Sequence, residues 1–228
     1  MNSDVKNISA SDISGVVNAS KLSRYLYLTI KRLFDIVLSL FGIIFLIPIS
    51  LIIKISYMFN KDYISIFYSQ TRIGKDGKEF KLYKFRSMIP NADEVLKELI
   101  KKEPYKTEWR NNQKLSNDPR ITKMGNIIRK TSLDELPQLI SILKGDMSFI
   151  GPRPLIINEL DSHNGNHKIY ESVKPGLSGW WACNGRSNTT YEERLELEYY
   201  YCINCCLLLD IKCILKTIKV VFLKNGAK

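Results

Sequence analysis

Ile36 to Ile53 reads IVLSLFGIIFLIPISLII, a run without a charge in which a single proline, Pro48, interrupts an otherwise helix-compatible series. Lys31, Arg32 and Asp35 close it on one side, and Lys54 and Lys61 on the other. A straight membrane span takes about 20 apolar residues, so this run sits at the short limit. Pro48 has no amide hydrogen for the Ile44 carbonyl and its ring crowds that carbonyl, so a kink is expected. A simple span concentrates its flanking cations on one side, whereas here they stand at both ends. A helix that enters the bilayer, bends near Pro48 and returns to the same face fits both features. An ordinary kinked span and a buried core helix are the alternatives, and the run alone leaves the choice open.

Outward from this run, Lys21–Arg32 (KLSRYLYLTIKR) and Lys212–Lys224 (KCILKTIKVVFLK) mix cations with Leu, Ile, Val and aromatic residues. Such stretches form interfacial helices, with cations at anionic headgroups and apolar residues in the acyl region. The chain of 228 residues carries 34 Lys and Arg against 23 Asp and Glu, a net +11, which calls for an anionic partner: nucleic acid, acidic lipid or a phosphorylated substrate. Residues 1–20 are rich in Ser, Asn and Asp and read as a flexible leader. The division that follows is a leader at 1–20, an interfacial and re-entrant membrane helix at 21–60, and a cytoplasmic catalytic domain at 61–228 that ends in an amphipathic helix. The five cysteines are odd in number, crowd the C-terminal part and lack paired zinc-knuckle spacing, so they read as reduced thiols.

In the remaining chain, two aromatic-rich runs between Ser65 and Arg86 flank Gly74-Lys75-Asp76-Gly77, which predicts a hairpin. Asn91–Lys102 has helical spacing; 103–120 reads as a polar loop ending in Asp118-Pro119-Arg120. Helices are expected at Ile121–Lys130, Leu136–Leu143 and across Tyr191–Lys219, and irregular chain over Lys144–Gly185. The fold class is α+β and helix-rich: a single globular domain with a small β-hairpin, a re-entrant membrane helix near the N-terminus and interfacial amphipathic helices.

Between two of those helices lies Arg129–Pro137, RKTSLDELP, with adjacent carboxylates at Asp134 and Glu135. One reading is a capping box, Ser132-x-x-Glu135, with Asp134 favouring the positive end of the helix dipole. The other is chemistry. Basic elements recur around the pair: Lys84 and Arg86, Arg129 and Lys130, Arg153 held between Pro152 and Pro154, and Asn184-Gly185-Arg186. An acidic pair among cations suits a site where Mg²⁺ meets a diphosphate, and a carboxylate can also act as a nucleophile toward phosphorus.

KRLFDIVLSL at 31–40, YKFRSM at 83–88, DPRITKMGNIIRKTSLDELPQL at 118–139, LKGDMSFIGPRP at 143–154, KPGLSGW at 174–180, NGR at 184–186 and LLLDIK at 207–212 together resemble the bacterial sugar transferases. More narrowly, they resemble the monotopic polyprenyl-phosphate phosphoglycosyl transferases. The resemblance implies transfer of a sugar 1-phosphate from a UDP-sugar to undecaprenyl (polyprenyl) phosphate, starting a capsule, exopolysaccharide or O-antigen at the cytoplasmic face of a bacterial cell membrane. It implies Mg²⁺ as cofactor, Asp134 as the nucleophile that carries the phosphosugar, and Glu135 as the metal-binding carboxylate. Lys84, Arg129, Arg153, Asn184, Arg186 and Asp210 are implied around phosphate and substrate. Lys31, Arg32 and Pro48 mark the boundary where the lipid carrier arrives. The chain departs from the family pattern in having Ile47 before the bending proline, so no hydroxyl there serves the freed carbonyl, and in Trp180-Trp181-Ala182-Cys183 before NGR. Donor, acceptor and oligomeric state stay open. The competing reading is a non-enzymatic basic protein of a membrane surface or of nucleic acid, in which Asp134 and Glu135 have no special role. No nucleic-acid motif supports it. A metal hydrolase resting on His163 and His167, and a nucleotide-binding enzyme with a Gly-rich loop, find no supporting pattern.

Overall fold

The computed structural model describes residues 21–112, 115–185 and 189–222, so the leader at 1–20 and Arg186 lie outside the described residues. The architecture is helix-rich α+β. Helix α1 runs over Lys21–Phe59 with Pro48 inside it. It is followed by strands β1 (Phe67–Ile73) and β2 (Glu79–Phe85), and helices α2 (Ala92–Leu99), α3 (Tyr105–Asn112), α4 (Lys123–Lys130) and α5 (Gln138–Lys144). Then come β3 (Ser148–Ile150), α6 (His167–Tyr170), β4 (Gly176–Ser178), α7 (Trp180–Asn184), α8 (Tyr191–Asn204) and α9 (Leu207–Phe222). The polar stretch read as a loop holds α3. The stretch read as irregular holds the parallel pair β3–β4, in register Ser148↔Gly176 and Ile150↔Ser178. Those strands are three residues each, too short to leave a periodic signal.

The expected hairpin is β1–β2, turned through Asp76 (φ 58°) and Gly77 (φ 72°). Phe80 and Leu82 alternate into the interior along β2, as a half-buried strand requires.

The described residues divide into two compact units rather than one globular body: one of residues 21–45, 69–83, 138–185 and 189–222, the other of 46–68, 84–112 and 115–137. In the first unit, Tyr27, Ile150, Tyr201, Cys205, Leu209 and Cys213 form the core. The front of α1 is fastened there by polar bonds. Asp35 Oδ1 accepts from Ser148 Oγ and Phe149 N at 3.0 Å each, and Arg32 donates to the last carbonyls of α5, Ile142 O at 2.6 Å and Leu143 O at 2.7 Å. A guanidinium there also complements the negative helix end. The loops carrying GPRP and KPGLSG meet backbone to backbone, since a Cβ on Gly176 would lie 2.1 Å from Gly151 N. In the second unit, Thr122 caps α4 by accepting from Gly125 N at 2.8 Å. Met88 bridges Ile121, and Phe67 stacks on Phe85 at 5.4 Å.

Beyond its fastened front, α1 is apolar and open. Its best window has a mean hydropathy of 2.9 and is 17% buried, and Phe41, Ile44, Ile47, Leu51 and Ile52 are each more than half exposed. The buried-core-helix alternative therefore fails. Ser50, after the proline, does not serve the Ile44 carbonyl: its hydroxyl donates to Leu46 O at 2.7 Å.

Candidate active site

After α4 the backbone turns through Ser132, which is left-handed at φ 55°, ψ 18°, into a single 3₁₀ turn at Leu133–Glu135. The capping box expected of Ser132 and Glu135 is not formed. A capping serine sits in extended backbone with its oxygen toward the amides two or three residues on; the left-handed Ser132 makes no side-chain cap bond. The Glu135 carboxylate instead accepts from Lys84 Nζ at 3.0 Å. The start of α8 shows the difference. Thr190 is extended at φ −65°, ψ 171°; its hydroxyl accepts from Glu193 N at 3.2 Å, and Glu193 accepts from Thr190 N at 3.0 Å. The same Ser/Thr-x-x-Glu spacing is a cap at 190–193 and a presented carboxylate pair at 134–135.

Lys84 at the end of β2 and Arg129 in the last turn of α4 both act electrostatically on Asp134. Burial pushes the Asp134 carboxyl above its ordinary range; Lys84 and Arg129 pull it back, and the neighbouring Glu135 adds to the push. A carboxylate drawn partly out of water is less shielded by hydration in its charged form, and nearby cations offset the cost.

Ser87 fixes Arg129, an arrangement the sequence reading missed. Its hydroxyl accepts from Arg129 Nε at 2.8 Å, while its carbonyl accepts from Thr122 N at 3.1 Å. One residue thus holds both ends of α4, and Gly125 permits the approach, since a Cβ there would lie 1.8 Å from Ser87 O. The only sequence signal was the serine inside YKFRSM. Arg86, read as a basic element, is buried at 8% exposure and committed elsewhere: Nη2 to Asp62 Oδ2 at 2.8 Å, Nε to Ser65 O at 2.8 Å, and its guanidinium over Tyr57. Asp118 and Arg120, read as a turn, form a buried bidentate pair at 2.8 and 2.6 Å.

Pro48 lies in the same unit as the carboxylate pair, whereas Lys31, Arg32, Arg153, Asn184 and Asp210 belong to the other. Arg153 is exposed; its backbone N donates to the buried Glu198 at 3.0 Å, its carbonyl accepts from Tyr170, and its guanidinium lies 6.0 Å from the Trp181 ring. The loop that carries Arg153 between its two prolines is thus bonded to α8 and α6. Asn184 ends α7 and accepts from Lys216 Nζ. Asp210 is 6% exposed and carries a network: Lys31 Nζ at 2.7 Å, Tyr27 OH at 3.0 Å and Tyr201 OH at 2.6 Å all donate to it. Lys31 and Asp210 are therefore partners within this unit. A concavity in this unit, bordered by Ile73, Pro152, Leu155, His167 and Glu171, is lined by none of the predicted site residues.

Among the described residues no three His, Cys, Asp or Glu side chains gather as a metal group. Two adjacent carboxylates nevertheless suit Mg²⁺, which is held by one or two carboxylates with substrate phosphate oxygens and water completing the octahedron.

The described residues thus combine an adjacent carboxylate pair, with Lys84 and Arg129 acting on it, and a long apolar helix that is largely open. The chain belongs to the bacterial sugar transferase family, whose profile matches residues 26–224. It is 45% identical over 210 residues to the undecaprenyl-phosphate galactose phosphotransferase of Salmonella typhimurium, covering 92% of this chain and 43% of that protein. It is 41% identical over 198 residues to the exopolysaccharide production protein ExoY of Sinorhizobium fredii, covering 86% and 87%. To the UDP-glucose:undecaprenyl-phosphate glucose-1-phosphate transferase of Escherichia coli it is 35% identical over 211 residues, covering 87% and 41%. The chain thus spans less than half the length of the first and third of these relatives.

Proposed function

We propose that the chain transfers a sugar 1-phosphate from a UDP-sugar to undecaprenyl phosphate, the first step in assembling an exported polysaccharide such as a capsule, an exopolysaccharide or an O-antigen. One observation carries this reading: Asp134 is desolvated, faces Lys84 and Arg129, and lies in a turn that is not used as a helix cap. The family and the names of its relatives support the reaction class and both substrates.

In the first step an Asp134 carboxylate oxygen attacks the sugar-bearing phosphorus. The bond from that phosphorus to the UMP oxygen breaks, and UMP leaves with both electrons. Lys84 and Arg129, aimed where negative charge grows, stabilise this step without reorganising. In the second step an oxygen of the polyprenyl phosphate attacks the same phosphorus; the aspartyl bond breaks and the carboxylate is restored. Glu135, with the substrate diphosphate, would hold Mg²⁺, which supplies Lewis-acid neutralisation of phosphate charge when bound. Arg153, Asn184, Arg186 and Asp210 belong to substrate handling in this scheme, and Lys31 and Arg32 to the lipid boundary. Because the two substrates react in turn, a soluble nucleotide sugar and a long lipid never need to be bound together.

Helix α1 supplies the membrane attachment at the cytoplasmic face. Its 39 residues would extend about 58 Å if straight, well beyond a hydrocarbon core of about 30 Å. Entry followed by return at Pro48 keeps the cations at both of its ends in the headgroup region. The division at 1–20, 21–60 and 61–228 describes the leader, this attachment and the catalytic portion.

The test is UMP release from a panel of UDP-sugars by detergent-solubilised protein with undecaprenyl phosphate and Mg²⁺, beside Asp134→Asn and Glu135→Gln. Release that requires lipid and metal and is lost in Asp134→Asn is expected. Turnover that survives Asp134→Asn would sink the covalent scheme.

A further inference from the structure

The chain from the Pro152 carbonyl to the Pro154 carbonyl, in the first unit, has a partner at every backbone polar atom. Gly176 N donates to Pro152 O at 2.8 Å, Tyr170 OH to Arg153 O at 2.8 Å, and Arg72 Nη1 to Pro154 O at 3.0 Å. Neither proline has an amide hydrogen, so Arg153 N is the single backbone donor of the triplet. It donates to Glu198 Oε1 at 3.0 Å. The Arg153 side chain is the opposite case. It is exposed, its guanidinium lies 6.0 Å from the Trp181 ring, and among the described residues no hydrogen bond or ion pair engages it. Arg86, Arg120 and Arg194 are each paired with a carboxylate.

Glu198 is a costly acceptor. It lies in α8 at 1% exposure, and its second oxygen, Oε2, is buried with no hydrogen-bond partner among the described residues. Burial raises its carboxyl to about 7, against the lowering effects of the Arg153 amide and of the Arg194 and Arg153 charges. A neutral oxygen would satisfy one amide without putting an ionisable group out of water. The carboxylate returns a stronger bond, since a charged acceptor holds an N–H about twice as firmly as a neutral one. That bond falls on one amide, at the base of an uncommitted guanidinium.

We propose, on the reading of Arg153 as a substrate-handling residue, that Glu198 is a positioning residue: it fixes the Arg153 backbone so that the guanidinium is already placed for the diphosphate of the nucleotide-sugar donor. A guanidinium fork takes two phosphate oxygens at once, but only from the right direction. With the backbone fixed, binding has only side-chain torsions to order. With the loop released, binding must order the backbone as well, and affinity falls by that cost. Buried as it is, Glu198 meets no ligand itself, and its whole effect passes through Arg153.

The full chain in detergent is tested by hydrogen exchange and by UDP binding. Peptides overlapping across Pro152–Pro154 isolate the Arg153 amide, because its two neighbours have none. In the parent that amide should exchange slowly. Glu198→Leu, close in volume and without an acceptor, should speed its exchange by about tenfold. The same variant should weaken UDP binding in magnesium buffer, read by calorimetry, by about 3- to 10-fold. Glu198→Gln should restore both. In an Arg153→Ala chain, adding Glu198→Leu should weaken UDP binding no further, which a general loss of packing would not reproduce. Fast Arg153 exchange in the parent would overturn the proposal, and that reading needs no variant to fold. So would unchanged UDP affinity in Glu198→Leu, or an equal weakening with and without Arg153. UMP release from UDP-sugars by the parent is measured beside these. Its absence would sink the transfer reading, while the UDP result would still decide the role of Glu198.

Discussion

Gly125→Ala sets two effects of opposite sign against each other. In an exposed helix interior, alanine stabilises over glycine by about 1 kcal/mol. At this position an ideal Cβ would stand 1.8 Å from the Ser87 carbonyl oxygen, 2.6 Å from its carbon and 2.9 Å from its Cα. Carbon and oxygen reach contact near 3.3 Å, so α4 must retreat from Ser87 by about 1.5 Å. That distance breaks the Thr122 N to Ser87 O bond, now 3.1 Å, and the Arg129 Nε to Ser87 Oγ bond, now 2.8 Å. The first contributes about 1 kcal/mol and the second, to a charged donor, about 1.5–3 kcal/mol. The clash wins, with a net loss of about 1.5–3 kcal/mol after the propensity gain, or a Tm about 3–12 °C lower for a chain of this size. Thermal unfolding in detergent reads the stability, and UMP release reads the displaced Arg129. Ser87→Ala is the companion, keeping the backbone contact and losing only the Arg129 bond; it should lose activity together with about 1.5–3 kcal/mol of stability. A Tm for Gly125→Ala equal to or above the parent's would refute the claim that Ser87 clamps α4.

Asp134→Asn should abolish transfer yet stabilise the fold. Burial first, and Glu135 after it, raise the folded carboxyl above its ordinary 3.8, so over that window the folded state holds a proton the unfolded state has lost, and stability falls as pH rises. The variant should lack this slope in unfolding scans across the acid range; an unchanged slope would show that Asp134 is not desolvated. Glu198, 1% exposed and raised to about 7 by burial, behaves likewise against the lowering effects of Arg153 and Arg194, its contribution fading as pH climbs from 4.5 through about 7. Glu198→Gln keeps an acceptor for Arg153 N and should be more stable than the parent above neutrality by on the order of 3 kcal/mol, read by denaturant titration at two pH values. Asp210→Asn leaves the Lys31 ammonium and two tyrosines without their anion and should destabilise by about 3–5 kcal/mol, whereas Lys31→Met with Asp210→Leu should recover much of that loss in the same titration.

The sequence made the family legible earlier than the geometry. Apolar run, hairpin turn and cation-flanked carboxylates are local patterns, and each stands where its spacing placed it. The misreadings share one cause, that identical local patterns take their meaning from backbone set elsewhere. Ser132-x-x-Glu135 and Thr190-x-x-Glu193 differ in both dihedrals of the first residue: Ser132 at φ 55°, ψ 18° makes no cap bond, and Thr190 at φ −65°, ψ 171° caps a helix. The β3–β4 pairing depends on glycines 151, 176 and 179, whose backbones touch across 25 residues or more of chain, and no window in the sequence reports such an approach. Ser87 was invisible for the same reason, because its carbonyl and hydroxyl both serve α4, which begins 36 residues later.

Lys31 and Arg32 show how a residue can fasten a helix and keep donors in reserve. Lys31 donates to Asp210 Oδ2 and Tyr201 OH, at 2.7 and 3.1 Å, yet an ammonium has three donors. Arg32 spends Nη1 and Nη2 on two carbonyls of α5, and a guanidinium has five N–H groups. Each therefore keeps donor capacity after its structural bonds are made. Lys174 joins them at Gly145, where a Cβ would be 3.4 Å from both Arg32 Nη2 and Lys174 Nζ; burial, with the Arg32 charge behind it, holds that amine below its usual range. Two cations pressed against one glycine repel each other unless an anion shares the place, and the carboxylates of Asp35 and Asp146 supply part of that relief. A phosphate at the start of an open apolar helix would supply more. Under the proposed function, the bonds that fasten the front of α1 would leave its basic end able to receive the headgroup of a lipid carrier without unfastening the helix.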